Sequence, residues 1–595
     1  MSVQQSNHRP TYQPGRPIPV PPDFPVQWPE PDLAHRMWTL DKMHFGLPLP
    51  PLAAEVWQQP IAAAFNDVAA RYELPIRLTF VHLNGYLYNN YQPVGLPPDL
   101  VLKGLNRLGR VSPGPVEFIQ QKAIAAMTRR YMARLQPVVD QLSAHWDNEW
   151  QPELQQHLTW WAEFDLPAAS LPGLLAHLAE SLRRLQRVWD IHFQIIVPTF
   201  LAVNQFDELY HHLFGQAEPL ASFKLLQGFD NAFLQADRAL ADLSRQARAM
   251  PVVARTLRDT PPPAILAALD ASPEGQVFGA ELRCYLQRYG GRGQHVDGLA
   301  EPSWLEDPTP VFQNLKELLA RPDRDLLAEL QAQAADREAC VAQARRRLQD
   351  RPIEVQHQFD LALKAAQTAA FLHEEHNFWI DQQAMACLRR VFLEVGRRLA
   401  EKGSLPQPDD IFYLTLAEAQ ASAAQPDLTR RDLVQHRRAA LDHFSTVQPP
   451  EGLGTMPLAA LPNDPFTRTM GRIFGSPLLP TDPAAAPGPS DTLSGNAAAS
   501  GVVRGLVRVI HTLEQAGRLQ PGEVLVTRTI LPPWTPLFAT AAAVITEVGG
   551  ILSHSAIMAR EYGIPAVLGV ANATTLLVDG QAVEVDGSAG LVRLL

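Results

Sequence analysis

The sequence predicts a multidomain chain, with a mainly α-helical domain over most of its length and a smaller C-terminal α/β domain. Three observations support this fold class. From Val116 to about Lys402 apolar residues recur at intervals of three and four, the period of amphipathic helices. From about 475 to 493 the chain becomes rich in Pro and Ala and loses that period, as a semi-rigid linker does. Beyond 494, short β-branched runs alternate with glycine turns and one short helical segment, the punctuation of an α/β unit. The boundaries that follow are a proline-rich arm over 1–30, a mostly helical domain over 31–474, the linker over 475–493 and the α/β domain over 494–595.

With 595 residues, 46% of them hydrophobic, the chain is long enough for two to four domains. A formal net charge of −11 and the lack of a basic block argue against a nucleic-acid partner. Cys284, Cys340 and Cys387 are far apart and odd in number, which suits a reducing cytoplasm better than a disulfide framework or a zinc site. No apolar run approaches the ~18 residues of a membrane helix, and no basic segment leads into an apolar core at the N-terminus. A cytoplasmic location with no membrane partner is expected.

Taken in order, the stretch Trp38 to Trp57 mixes aromatic residues with Asp41, Lys42 and His44 before a proline cluster, and reads as a packed loop. Asn84-Gly85 between two apolar, aromatic runs predicts a hairpin, on which Tyr86, Tyr88 and Tyr91 either line a pocket or simply pack. Pro113 opens a helix. Leu171, Leu175, Leu178, Leu182, Leu185 and Trp189 then form a second helical stripe that His192 extends. Asp207, Glu208, His211 and His212 have mixed spacing and no third strong ligand, so no metal is assigned.

A helical pattern ends at Tyr289-Gly290-Gly291-Arg292-Gly293, where glycines free the backbone around Arg292. A guanidinium grips phosphate oxygens in a bidentate fork, so Arg292 is a candidate for a phosphoryl group or a substrate oxygen, or else a structural ion pair. From about Asp360 to Lys402 a helix is expected that contains HEEHNFWIDQQ. Regular spacing puts His373, His376, Ile380, Ala384 and Cys387 on one stripe, and Glu374, Phe378, Asp381 and Met385 on the next. Burying two histidines and two carboxylates on an apolar face requires partners, so this helix borders either a cavity or an internal polar network.

The last domain holds the most specific stretch, Thr546 to Val567. A buried strand over Ala541 to Ile545 runs into Gly549 and Gly550, and a helix over Ser553 to Tyr562 closes at Gly563 and Pro565. Strand, glycine turn and helix N-terminus together favour an anion, and His554 sits where that anion would lie. A neutral imidazole is a nucleophile able to accept and release a phosphoryl group, with the Ser553 and Ser555 hydroxyls as added donors. His554 is therefore read as a phosphorylation site, with Thr546, Gly549, Gly550, Ser553, Ser555 and Arg560 as its support. AVEVDGSAGLVRLL then reads as a closing hairpin with an Asp586-Gly587 turn.

This stretch resembles the swivelling phosphohistidine domain of the phosphoenolpyruvate-utilising enzyme family. GNAAASGVVRGLVRVI from Gly495 and VLVTRTILPPWTPLF from Val524 extend the likeness to about a hundred residues. Upstream, the Trp38 segment is similar to the opening of that family's substrate domain. The Arg292 loop, with Trp304 and Glu306-Asp307-Pro308, is similar to its tyrosine-glycine-x-arginine-glycine segment, although His295-Val296-Asp297 replaces the expected acid. EEHNFWIDQ resembles the substrate subunit of phenylphosphate synthase-like enzymes, and the two-domain order also resembles the last domains of rifampicin phosphotransferases.

What the resemblance implies is a phosphotransferase of dikinase type. A separate ATP-grasp subunit, holding ATP and Mg2+, would place the β-phosphoryl of ATP on His554. The phosphohistidine would then phosphorylate a small hydroxylated, aromatic acceptor. The acceptor site is expected among Trp38, Lys42, His44, Tyr86, Arg292, His295, Glu374, His376 and Asp381, with His376 a candidate base or a member of a buried network. Pyruvate- or antibiotic-directed dikinase components, and a non-catalytic phosphocarrier, remain alternatives.

Overall fold

The computed structural model describes residues 15–94, 113–215, 218–293, 299–320, 325–425, 428–457, 463–475 and 491–595. The expected arm falls outside them up to residue 14, the linker from 476 to 490, and His295 entirely. The chain forms two compact units, one from Met1–Gln136 with Gly396–Ser490, the other from Pro137–Val395 with Asp491–Leu595.

The first unit is organised on an antiparallel sheet of β1 (Met37–Leu40), β2 (Ile76–Leu83), β3 (Tyr86–Pro93) and β4 (Gly452–Gly454), in the order β2-β3-β1-β4. Asn84 (φ 52°) and Gly85 (φ 85°) make the two-residue turn between β2 and β3, with positive φ at both positions as a type I′ turn requires. A helix over Pro51–Tyr72 packs on β2, where the Asn66 side chain satisfies both backbone groups of Leu78. Phe24, Trp38, Leu40, Val81, Tyr86, Tyr88 and Leu453 share the core on this sheet.

In the second unit the backbone of the helical part is a 44-residue helix, Leu171–Phe214, roughly 65 Å long at 1.5 Å per residue. Ser170 caps it by accepting from Gly173 N, and Gly215 ends it at φ 91°. It lies antiparallel to the Ile353–His376 helix, for Phe214 and Phe206 meet Phe359, Phe200 meets His373 and His192 meets His376.

That second helix does not continue with the regular register the sequence predicts. Asn377–Ala384 is a π-helix, after which α-helix resumes over Met385–Glu401. Because π-hydrogen bonds span five residues instead of four, each later side chain is rotated away from its expected stripe. Asp381 is thereby carried to His192, with His192 Nδ1 3.0 Å from Asp381 Oδ1.

The C-terminal part is an eight-stranded sheet of β5 (Thr492–Ser494), β6 (Asn496–Ala499), β7 (Val502–Val509), β8 (Val524–Thr527), β9 (Ala543–Thr546), β10 (Ala566–Leu568), β11 (Ala582–Asp586) and β12 (Leu591–Leu594), in the order β5-β12-β11-β7-β8-β9-β10-β6. β7 to β10 run parallel, and β5, β12, β11 and β6 pair antiparallel. The two edge strands are halves of one segment bent at Gly495, where a Cβ would meet the Leu568 carbonyl oxygen at 2.6 Å. The closing hairpin forms as expected, but Asp586 still pairs with Leu591. Its turn is thus the four residues 587–590, with Asp586 Oδ1 accepting from Ser588 N and Ala589 N, instead of a two-residue Asp-Gly turn.

Candidate active site

The site forms where parallel strands end, the usual ligand position in an open parallel sheet. β9 stops at Thr546, whose hydroxyl donates to Val548 O at 2.7 Å. Gly549 then adopts φ 122°, open to glycine and rare for other residues, and a Cβ there would lie 3.1 Å from Ser553 Oγ. The helix that follows is His554–Glu561, so His554 is its first residue, with Ser553 at the N-cap.

The supporting residues act on the loop backbone. Ser553 Oγ donates to Gly550 O at 2.8 Å and Ser555 Oγ to Ile530 O at 3.1 Å. The expectation that these hydroxyls are donors to a group on His554 is thereby corrected, because buried hydroxyls are spent on nearby carbonyls. Arg560 Nη1 donates to Ala498 O and Ile551 O, at 2.9 and 3.0 Å, tying the helix to β6 and to the loop.

His554 faces the helical part of its own unit. Its Nδ1 is 2.8 Å from Oε2 of Glu374, in the last turn of the Ile353–His376 helix, and its ring packs edge-on against Phe233 at 5.8 Å. Burial pushes the Glu374 carboxyl up, but the charge and hydrogen bond of His554, then the charges of His373 and Arg560, outweigh it and hold Glu374 below its usual value. An ionised carboxylate only accepts, so Nδ1 carries a proton, and in the neutral ring Nε2 then keeps its lone pair. That Nε2 is buried and, among the described residues, has no hydrogen-bond partner. The geometry is that of an oriented nucleophile. His373, its ring nitrogens equally unpartnered, has Nε2 3.6 Å from Glu374 Oε1, and burial pushes its pKa down to about 3.

Arg292 also neighbours Phe233, its guanidinium 6.0 Å from the centre of that ring. Fully buried, it donates from Nε to Tyr289 O and from Nη2 to Tyr285 Oη, and its guanidinium stacks 4.3 Å over Trp304. Among the described residues its Nη1 has no hydrogen-bond partner. Gln382 of the π-segment accepts from Gly293 N, and Gln383 occupies the space a side chain on Gly291 would need. Asp237, in the Ala232–Ala249 helix, accepts from Tyr562 Oη at 2.7 Å; burial raises its pKa against the charges of Arg292 and His554. Beyond Phe378, which meets both Phe233 and Tyr289, is a cavity of about 500 Å3 lined by Tyr289, Phe371, Phe378, Trp379, Glu375 and Gln383 among others.

The sequence-derived candidates separate in space. Glu374 and Arg292 flank His554 through direct contact and through Phe233. His376 and Asp381 instead meet His192, with His376 Nδ1 donating to Leu372 O. In the first unit Trp38 Nε1 donates to Leu33 O and Tyr86 Oη to Phe444 O, while Lys42 pairs with Glu451 and His44 with Asp41. Phe233, Asp237, Tyr285 and Gln382 were not singled out from sequence. They lie on other helices, and nothing in local spacing links them to His554.

The model of the "PEP-utilising enzyme, mobile domain" matches residues 519–590, the segment that contains the site. The chain carries the mobile domain of the PEP-utilising enzymes. Residues 192–374, from His192 to Glu374, match the rifampicin phosphotransferase fourth domain. Over 97% of its length the chain is 35% identical to chondramide synthase of Chondromyces crocatus, covering 14% of that protein. It is 30% identical over 70% of its length to the uncharacterized phosphotransferase YvkC of Bacillus subtilis, covering 50% of it. With rifampicin phosphotransferase of Bacillus cereus it shares 27% identity over 60% of its length, covering 39% of that protein. The chain thus spans half or less of these curated relatives. Among the described residues no helix is long and apolar enough to cross a membrane.

Proposed function

We propose that this chain is a phosphotransferase component in which His554 Nε2 carries a phosphoryl group to the hydroxyl of a small acceptor. The observation that carries the reading is the Glu374–His554 pair, which leaves Nε2 as the free, lone-pair nitrogen. In delivery the Nε2–P bond breaks, an O–P bond forms, and the hydroxyl proton passes to the Nε2 lone pair that the broken bond restores, with the Glu374 carboxylate beside Nδ1 to balance the resulting imidazolium. Arg292 Nη1 is the donor available to a phosphoryl or acceptor oxygen.

For the acceptor we propose an aromatic compound bound in the cavity beyond Phe378, whose size and aromatic wall suit a ring-bearing molecule. An antibiotic or other natural product is the second reading, favoured by the likeness to rifampicin phosphotransferases. The donor is proposed to be ATP, with Mg2+, held by an ATP-grasp module on a separate subunit. The residues around His554 do not themselves fit a nucleotide–Mg2+ site, since Glu374 is engaged by Nδ1 and Glu561 by Gly228 N. A cytoplasmic location is proposed, where the three free cysteines stay reduced.

The test incubates the purified chain and an ATP-grasp partner with ATP labelled at the β or γ position. Acid-labile label is expected from the β position and absent in His554→Ala; label that survives this substitution overturns the proposal. Phenols, alcohols and rifampicin-type antibiotics are then offered to the charged protein, and loss of label to one of them identifies the acceptor class.

A further inference from the structure

A second cluster of ligand-type side chains stands apart from the phosphohistidine pair. His192 from the Leu171–Phe214 helix, His376 from the end of the Ile353–His376 helix and Asp381 from the π-segment bring one ligand atom each to within 4.8 Å of one another. His376 and Asp381 are 2% and 4% exposed, in the interior beside the Leu171–Phe214 helix. We infer that His192, His376 and Asp381 form a binding site for a divalent first-row transition ion.

Several features support an ion here. Bonds of about 2.1 Å place neighbouring donors roughly 3 Å apart and opposite ones about 4.2 Å apart, so the trio needs only a slight closing to hold an ion. His376 donates from Nδ1 to the Leu372 carbonyl at 3.0 Å, which leaves Nε2 as the lone-pair nitrogen. A ligating histidine anchored through its other nitrogen to a backbone carbonyl is the usual outer-shell arrangement. His192 Nδ1 and Asp381 Oδ1, 3.0 Å apart, are at a separation that serves either a hydrogen bond or two adjacent ligands. His373 packs edge-on against His376 at 5.7 Å, buried, with both ring nitrogens unpartnered, so the cluster has unused polar capacity at its border.

Two imidazoles and one carboxylate favour Zn2+, Mn2+ or a similar ion over Mg2+ or Ca2+, which prefer all-oxygen sets. The π-segment supplies the third ligand. In a regular α-helix Asp381 would fall on the stripe next to His376, away from His192, and π-turns inside α-helices recur at functional sites.

The full chain, dialysed against a chelator, is titrated with Zn2+ or Mn2+ by calorimetry, with Mg2+ as control, and its melting temperature is followed. One equivalent of Zn2+ or Mn2+ and a rise in Tm are expected. Asp381→Asn, which keeps the side-chain shape, and His192→Ala should weaken binding by about ten- to a hundredfold. His212→Ala, on the exposed face of the same long helix, should leave it unchanged. Lack of stoichiometric binding to the unaltered chain, or equal binding to folded Asp381→Asn, overturns the inference and leaves a hydrogen-bonded His192–Asp381 pair. Metal binding is the readout throughout, so the result stands apart from whether His554 is phosphorylated.

Discussion

Glu374 Oε2 and His554 Nδ1 lie 2.8 Å apart although 180 residues separate them in the chain. One comes from the end of a long helix and the other from the first turn of a short one. Their contact sets the tautomer of the neutral imidazole and so decides which nitrogen keeps its lone pair.

Glu374→Gln keeps an acceptor oxygen but removes the charge. Delivery of the phosphoryl group is expected to slow about ten- to a hundredfold. The measurement is single-turnover loss of label from charged protein. Charging by the proposed ATP-grasp partner tests whether Glu374 also acts there, and an unchanged delivery rate removes Glu374 from the mechanism.

Arg292→Lys retains a positive charge and loses the planar fork, the stack on Trp304 and the spare Nη1 donor. Transfer to the acceptor should fall by about a hundredfold, as when one oxyanion donor is lost, while His554 still takes up label. Equal transfer rates in the two proteins would assign Arg292 to structure alone.

Gly549→Ala imposes a side chain at φ 122° and brings its Cβ against Ser553 Oγ. A loss of about 1–3 kcal/mol is expected from denaturant midpoints, together with poorer labelling of His554, because the strained loop sets the start of its helix.

Stability should have both an acid and a neutral limb. Burial pushes His373 down to about 3 and His376 to about 4, against an ordinary 6.5. As pH falls below 6.5 the unfolded chain binds these protons first, so stability declines toward pH 3 to 4. Burial pushes Glu561 the other way, from 4.5 up to about 8. Between those values the folded chain keeps a proton that the unfolded chain has released, so stability falls as pH rises toward 8. Melting temperatures across pH 4 to 9 check both limbs: Glu561→Gln should flatten the neutral one and His373→Gln the acid one.

Much of this was legible from local pattern. The Asn84-Gly85 hairpin, the long amphipathic helices and the β9–glycine–helix order around His554 all rest on residues close in sequence, where backbone preference and periodicity act directly. The π-segment was not legible. HEEHNFWIDQQ reads as an unbroken helix, and only packing against the His192 face shows that Asp381 has turned from its expected stripe. Nor do Trp38 and Tyr86 announce that their polar atoms end on the carbonyls of Leu33 and Phe444.

The sequence by itself determined that a histidine stands at the start of a helix behind a glycine turn, within a C-terminal α/β domain that follows a helical one. These are consequences of local conformational preference and hydrophobic period. Which nitrogen of His554 is free, that Glu374 and not His376 holds the other, and that His376 joins His192 and Asp381 in a separate cluster were decided by tertiary structure alone. Each depends on side chains from distant helices meeting in a buried space, where an unpartnered polar atom is costly and partners are fixed by packing instead of by spacing.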